Sequence, residues 1–253
     1  MSAGHNKVTI ISMAVLASAL APLLHEGLGH GFVAWFRGAV PTELTSNHLS
    51  TLRVDKWVEA AGTIVNLIVG AISLVLSFDR GVRGNTRYFL WLLAAFNLLA
   101  GTGYFLFSGI LGLGDWRAVI EGWPHPALVR IAMSIIGAAL YLLVVYLLAF
   151  AVRPFCHQRG EYNAIARLPY LIACLFGTAA GLLDPLGFKL LIISTIPAAF
   201  GGYSGLLWAD AFLPRESREP LLLVSRAPLW WTAAIVLGIA YIVVLGRGIH
   251  FHH

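Results

Sequence analysis

The chain has 253 residues, of which 58% are hydrophobic and 11% charged, with a formal net charge of +5. A soluble domain carries about twice that charged share, and a mean hydropathy of +0.80 leaves more apolar surface than a water-soluble fold of this size can bury. The composition excludes a cytosolic globular enzyme, a disordered chain and a nucleic-acid-binding module, and the basic excess fits the loops of a membrane protein.

A membrane-crossing helix needs roughly 20 mostly apolar residues, and the chain offers about seven such runs. They are Val8 to Leu24, with apolar character resuming at Phe32–Phe36; Trp57–Phe78; Tyr88–Leu113; Ala127–Val152; two spans within Leu168–Ala211, broken at Asp184-Pro185; and Leu229–Leu245. The expected fold is an all-α, multi-pass transmembrane helical bundle forming one integral membrane domain over 1–253, with every polar segment a short loop. Ala17-Ser18-Ala19 has the small-residue pattern of a signal-peptidase site. Only Lys7 supplies positive charge before it and the apolar run continues past it, which favours a span. With seven spans, ten basic residues, including Arg215 and Arg218, fall on the side of the N-terminus and seven on the other. The excess favours a cytoplasmic N-terminus, and the expected location is an integral, multi-pass position in the cell membrane.

Ionisable groups inside a bilayer cost about 2.5–3.5 kcal/mol each, so those the chain keeps are informative. The first run contains His25-Glu26-Gly27-Leu28-Gly29-His30, and Asp115, Asp184 and Glu59 lie near the ends of later runs. Both cysteines, Cys156 and Cys174, are too few for a disulfide framework or a four-cysteine zinc site, so a metal site must use His, Asp or Glu. Two histidines with an acidic ligand and a free carboxylate suit a catalytic zinc centre, with three protein ligands and a position for water.

The spacing departs from His-Glu-x-x-His by one residue. On a regular helix His25 and His30 would lie about 140° apart. Two solutions are open. A π turn would bring both imidazoles to one face and leave Glu26 free as a base, with Gly27, Gly29 and Gly31 easing the distortion. Alternatively Glu26 and His30, at i and i+4, are the ligand pair.

Three segments resemble the site-2 protease family of intramembrane zinc metallopeptidases, in the family's order. His25-Glu26-Gly27-Leu28-Gly29-His30-Gly31 is similar to its His-Glu-x-x-His helix with one extra residue. Ala60-Ala61-Gly62-Thr63-Ile64-Val65-Asn66 is similar to its Ala-Gly-Pro-x-x-Asn segment, with Thr63 in place of proline. Asn97, followed by Gly112-Leu113-Gly114-Asp115-Trp116, is similar to the segment that brings the acidic ligand, with Trp116 in place of glycine. The resemblance covers about residues 10–120, a metallopeptidase-like core over 8–120, with 121–253 supplying additional helices.

The resemblance implies a Zn²⁺ cofactor held by His25, His30 and Asp115, and Glu26 as general base. It implies Asn66 and Asn97 as substrate-binding residues and a membrane-anchored protein as substrate within the lipid bilayer. Asn66 also reads as a polar bridge between helices. Asp184 is a rival third ligand or a helix-breaking Asp-Pro turn. His250, His252 and His253 read as a tail or a weak surface metal contact. Two other functions compete: an ion-coupled carrier, for which Ala100–Gly114 would be a glycine-interrupted helix, and a catalytically inactive protein of the same fold.

Overall fold

The structure, a computed structural model, describes residues 4–156, 159–213 and 221–251. Among the described residues seven helices are long and apolar enough to cross a membrane, as the hydropathy predicts: α1 (Lys7–Arg37), α2 (Lys56–Ser77), α3 (Gly84–Leu111), α5 (Pro126–Phe155), α6 (Gly160–Gly181), α7 (Gly187–Phe212) and α8 (Pro228–Leu245). A short α4 (Asp115–Val119) follows α3. Arg215, Arg218, His252 and His253 lie outside the described residues.

The helices start where local chemistry satisfies free N–H groups. The Asn6 side chain caps α1 by accepting from the Thr9 N–H, and Asp55 caps α2 by accepting from Trp57 and Val58. The Asp55 carboxylate also pairs with Arg37 at the other end of the connecting segment. That segment is no plain loop, which corrects the sequence reading. Pro41–Leu44 (β1) and Leu49–Thr51 (β2) form an antiparallel hairpin, and Ile249–His250 (β3), after the last helix, pairs with the other edge of β1. The sheet order β2-β1-β3 joins the two ends of the chain.

The main core gathers Ile10 and Met13 of α1, Trp91, Phe96 and Leu99 of α3, Leu148 of α5, Ile165 of α6 and Leu206 of α7. Packing therefore runs across residue 120, and the two stretches separated there in the sequence reading share one core. Tyr and Trp side chains in this core donate to backbone carbonyls: Tyr88 Oη to Ile165 O (2.6 Å), Trp91 Nε1 to Leu148 O (3.0 Å) and Tyr162 Oη to Leu206 O (2.8 Å). Ile165 lies in a π turn and Leu206 in an irregular stretch of α7, where side-chain donors can serve acceptors that the helix ladder meets poorly. Outward faces are apolar, for example Ile64, Ile68, Ile72 and Val75 on α2. Such stripes suit lipid and would be an aggregation liability in water.

Helix contacts rely on small residues, as expected where packing rather than water exclusion drives association. A Cβ on Gly109 of α3 would lie 2.8 Å from the Ser134 backbone nitrogen, and one on Gly137 of α5 2.6 Å from the Leu106 nitrogen. Backbone cannot yield there as a flexible side chain can. Gly137→Ala is expected to cost about 1–3 kcal/mol, read as a lower thermal unfolding midpoint of the detergent-solubilised protein. Gly177→Ala, whose methyl would meet nothing closer than 3.7 Å, is expected to change it little.

Candidate metal centre

The centre is built by a change of helical register. Within α1, residues Leu24–Gly31 form a π turn, and the Phe32 N–H bonds back to Gly27 O, five residues earlier. Pro22, two residues before the turn, has no N–H to offer the preceding ladder. The wider turn brings His25 and His30 together, with ring centroids 4.7 Å apart. The reason expected for the glycines is only partly right. None of Gly27, Gly29 and Gly31 has a positive φ, so the turn does not use left-handed freedom. Gly29 is needed for contact, since a Cβ there would stand 2.5 Å from the Gly62 Cα.

Gly62 of α2 in turn faces both imidazoles. A Cβ on it would lie 2.5 Å from His25 Nε2 and 2.6 Å from His30 Nε2. The backbone of α2 is thus the floor of the cluster. It also orients one ring: His30 Nδ1 donates to Val58 O at 2.6 Å, leaving the Nε2 lone pair turned inward.

Asp115 arrives from the opposite side. Helix α3 stops at Gly112 (φ +66°), and Gly114 (φ +76°) redirects the chain so that Asp115 begins α4. Arg130 of α5 covers this end of α3, donating from Nε to Gly109 O (3.0 Å) and from Nη2 to Ile110 O (2.7 Å). Asp115 Oδ2 then lies 3.1 Å from His25 Nε2 and 3.2 Å from His30 Nε2. Tyr104 Oη donates to Oδ1 at 3.2 Å. Burial works to raise the Asp115 carboxyl, but hydrogen bonds and charge from the histidines outweigh it and hold the group below the usual carboxylate range.

Thr63 and Trp116 bond to each other: Trp116 Nε1 donates to Thr63 Oγ1 at 3.0 Å. This contact fastens the Asp115 segment to α2. Glu26 is buried, its Oε2 is 3.9 Å from His30 Nε2, and that oxygen accepts no hydrogen bond.

Ligand atoms about 2.0–2.1 Å from a tetrahedral metal stand about 3.3 Å from one another. The separations of 3.1 and 3.2 Å from Asp115 to the two imidazoles fit that edge, and the 3.9 Å from Glu26 fits less well. His25, Glu26 and His30 also form a set whose ligand atoms lie within 4.8 Å of one another. The set whose ligand atoms lie close enough to hold a metal is His25, Glu26 and His30, with Asp115 against both imidazoles.

His25, Glu26, Asn66 and Tyr104 open onto a cavity of about 470 Å³ between α1, α3, α6 and α7. Asn66 Oδ1 is buried and accepts no hydrogen bond, so this oxygen makes no bridge between helices. Asn97 does not belong here: it is fully buried, donates to Leu93 O of its own helix (2.8 Å) and is absent from the cavity wall. One side of α3 faces the core and the other the cavity, and Asn97 falls on the former. Asp184 is not a third ligand either. Its Oδ1 accepts from the Leu186 N–H in the turn between α6 and α7, and its Oδ2 accepts from Asn47 Nδ2.

Sequence reasoning missed Tyr104, the Val58 carbonyl and the Thr63–Trp116 bond. The small-residue run Ala60-Ala61-Gly62 was the available signal for close approach, although not for which side chains would approach.

Comparison of the chain with protein-family models, with curated proteins and with solved structures finds no match in any of the three. Fold and centre define a seven-span helical membrane protein with a buried His-Glu-His cluster closed by an aspartate.

Gly62→Ala is expected to displace both imidazoles, because the new methyl would occupy the space of both Nε2 atoms, and to weaken at least tenfold any affinity of the cluster for added zinc. Gly27→Ala lies in the same π turn but meets only Leu23 Cδ1 at 3.8 Å, and should bind as wild type. Equilibrium competition with a chromophoric chelator measures both.

Proposed function

We propose that the chain is a zinc-dependent intramembrane endopeptidase of the site-2 protease type, acting on membrane-anchored protein substrates. The observation that carries this reading is the convergence of His25 and His30 on one oxygen of Asp115, 90 residues from His25 in sequence, through a π turn that offsets the extra residue. The three-segment likeness supports it.

His25, His30 and Asp115 would hold the metal. Bound zinc supplies a Lewis acid that polarises a peptide carbonyl and lowers the pKa of a ligated water towards about 7. Glu26, at the cavity wall and without a hydrogen bond on Oε2, takes the proton from the attacking water and returns it to the leaving amine. Tyr104 and the Trp116–Thr63 contact keep the Asp115 carboxylate in place. Asn66 offers its side-chain amide to the substrate backbone from the cavity wall.

One observation favours a carrier instead. Helix α7 is broken by π turns at Leu191–Thr195 and Pro197–Gly201 beside the cavity, and broken helices line many transport sites. The buried His, Glu and Asp groups also suit an ion pathway, whereas the stretch expected as a glycine-interrupted helix from Ala100 runs unbroken to Leu111.

Glu26→Gln is expected to lower hydrolysis of a membrane-anchored test substrate by about 10²–10⁴-fold while zinc at this centre is retained. His30→Ala and Asp115→Asn should lose that zinc. Substrate flux across proteoliposomes without cleavage would favour the carrier. Zinc binding with no turnover in wild type would favour an inactive protein of this fold. Loss of zinc in Glu26→Gln would move Glu26 into the ligand set.

A further inference from the structure

The cavity reaches well beyond the His25–His30 centre. Its wall follows α3 from Ala100 to Leu111, about 16 Å at 1.5 Å per residue. A volume of about 470 Å³ spread over that length is too narrow for a helix, which is about 10–12 Å across with its side chains. An extended chain advances about 3.3 Å per residue, so about five residues fill the length. Four glycines on this wall are explained neither by backbone angle nor by packing. Gly103, Gly177, Gly201 and Gly202 have no positive φ. A Cβ would come no closer to a neighbour than 3.5 Å at Gly103 and 3.7 Å at Gly177, and would meet nothing within 4 Å at Gly201 or Gly202. Close approach demands Gly62, Gly109 and Gly137, but not these four. Glycine inside a helix is destabilising relative to alanine, and what the four preserve is open space between α3, α6 and α7.

Polar groups on the same wall lack partners. Thr102, Thr178 and Thr232 each donate to the carbonyl four residues back in their helices. Thr195 does not. It ends the π turn Leu191–Thr195, where Leu191 O accepts the Ile196 N–H, and its buried Oγ1 makes no hydrogen bond. Asn66 Oδ1 on α2 and Glu26 Oε2 on α1 are likewise buried and unbonded. All three residues line the cavity. A buried polar atom left unpaired is costly. An acyl chain offers these atoms no partner, whereas a peptide carries an N–H at almost every residue.

We propose that α6 and α7, outside the segments that carry the family resemblance, complete a subsite that selects the residues beside the scissile bond. Thr195 takes a backbone N–H of an extended segment, and Gly103, Gly177, Gly201 and Gly202 leave room for about five aliphatic residues. The subsite deepens the endopeptidase reading and rests on it for the choice of a peptide. Thr195 and the glycines are specificity-determining and take no part in the proton transfer assigned to Glu26.

The probe is a blocked pentapeptide of leucine and alanine carrying one diazirine-bearing leucine for photo-cross-linking. It is added to the full-length chain in detergent with a metal chelator, so that no turnover consumes it. Mass spectrometry is expected to place the label on cavity residues of α6 and α7, between 173 and 204. Gly177→Leu should lower labelling at least tenfold and Thr195→Val at least threefold, with thermal unfolding confirming that both variants fold. N-methylation of the probe's peptide groups should cost at least threefold in wild type, and Thr195→Val should then make no further difference. Label spread over lipid-facing positions such as Ile68, labelling unchanged in Gly177→Leu, or labelling displaced by palmitic acid but not by unlabelled pentapeptide would overturn the subsite. Cleavage of a membrane-anchored substrate is read separately on the zinc-loaded chain. Labelling as expected without any cleavage would support the subsite and count against the endopeptidase. Cleavage unaffected by Gly177→Leu would overturn the subsite and leave the endopeptidase in place.

Discussion

The five-residue separation of His25 and His30 is the constraint on which the centre depends. A regular helix would turn one imidazole to the centre and the other well away from it. The π turn from Leu24 to Gly31 removes the difference within the helix itself. The turn is accommodated because its inner face carries Gly29, which allows the backbone of α2 to approach at Gly62. Gly62 then leaves the space that the two imidazoles fill. Register, backbone approach and side-chain placement are one arrangement, and a methyl at Gly29 or Gly62 would disturb all of it.

Burial of so many polar groups demands mutual compensation. Asp115 brings the negative charge that two inward-facing imidazoles require, whether they hold protons or a cation. Its position is determined by elements that contribute no ligand. Two left-handed glycines turn the chain after α3, Arg130 satisfies the carbonyls at the end of that helix, and Trp116 ties the new direction to Thr63.

The hairpin after α1 adds Ser46 and Asn47 to the cavity wall. Asn47 bonds to Asp184 from the turn between α6 and α7, and Tyr241 of α8 donates to Ser46 O at 3.4 Å. Residues from the middle and the end of the chain therefore hold a cover formed near its beginning. The helices after residue 120 complete the cavity around the centre as well as adding spans.

The seven spans were legible because a 20-residue apolar run has few other uses and each run is continuous. The ionisable cluster was legible because such groups at that depth are expensive, and the π turn was one of two solutions that the spacing of His25 and His30 left open. Which acid closes the cluster, Asp115 or Asp184, depends on where two loops come to rest, and it was decided by the turn at Gly112–Gly114 and the packing of α3 on α5. The place of Asn97 depended on the rotation of α3 about its axis, which a helix apolar on all sides does not encode in its pattern. Strand β3 escaped notice because it is two residues long and lies about 200 residues from its partner β1. No local pattern can carry such a pairing, since it exists only once the bundle brings the ends of the chain together.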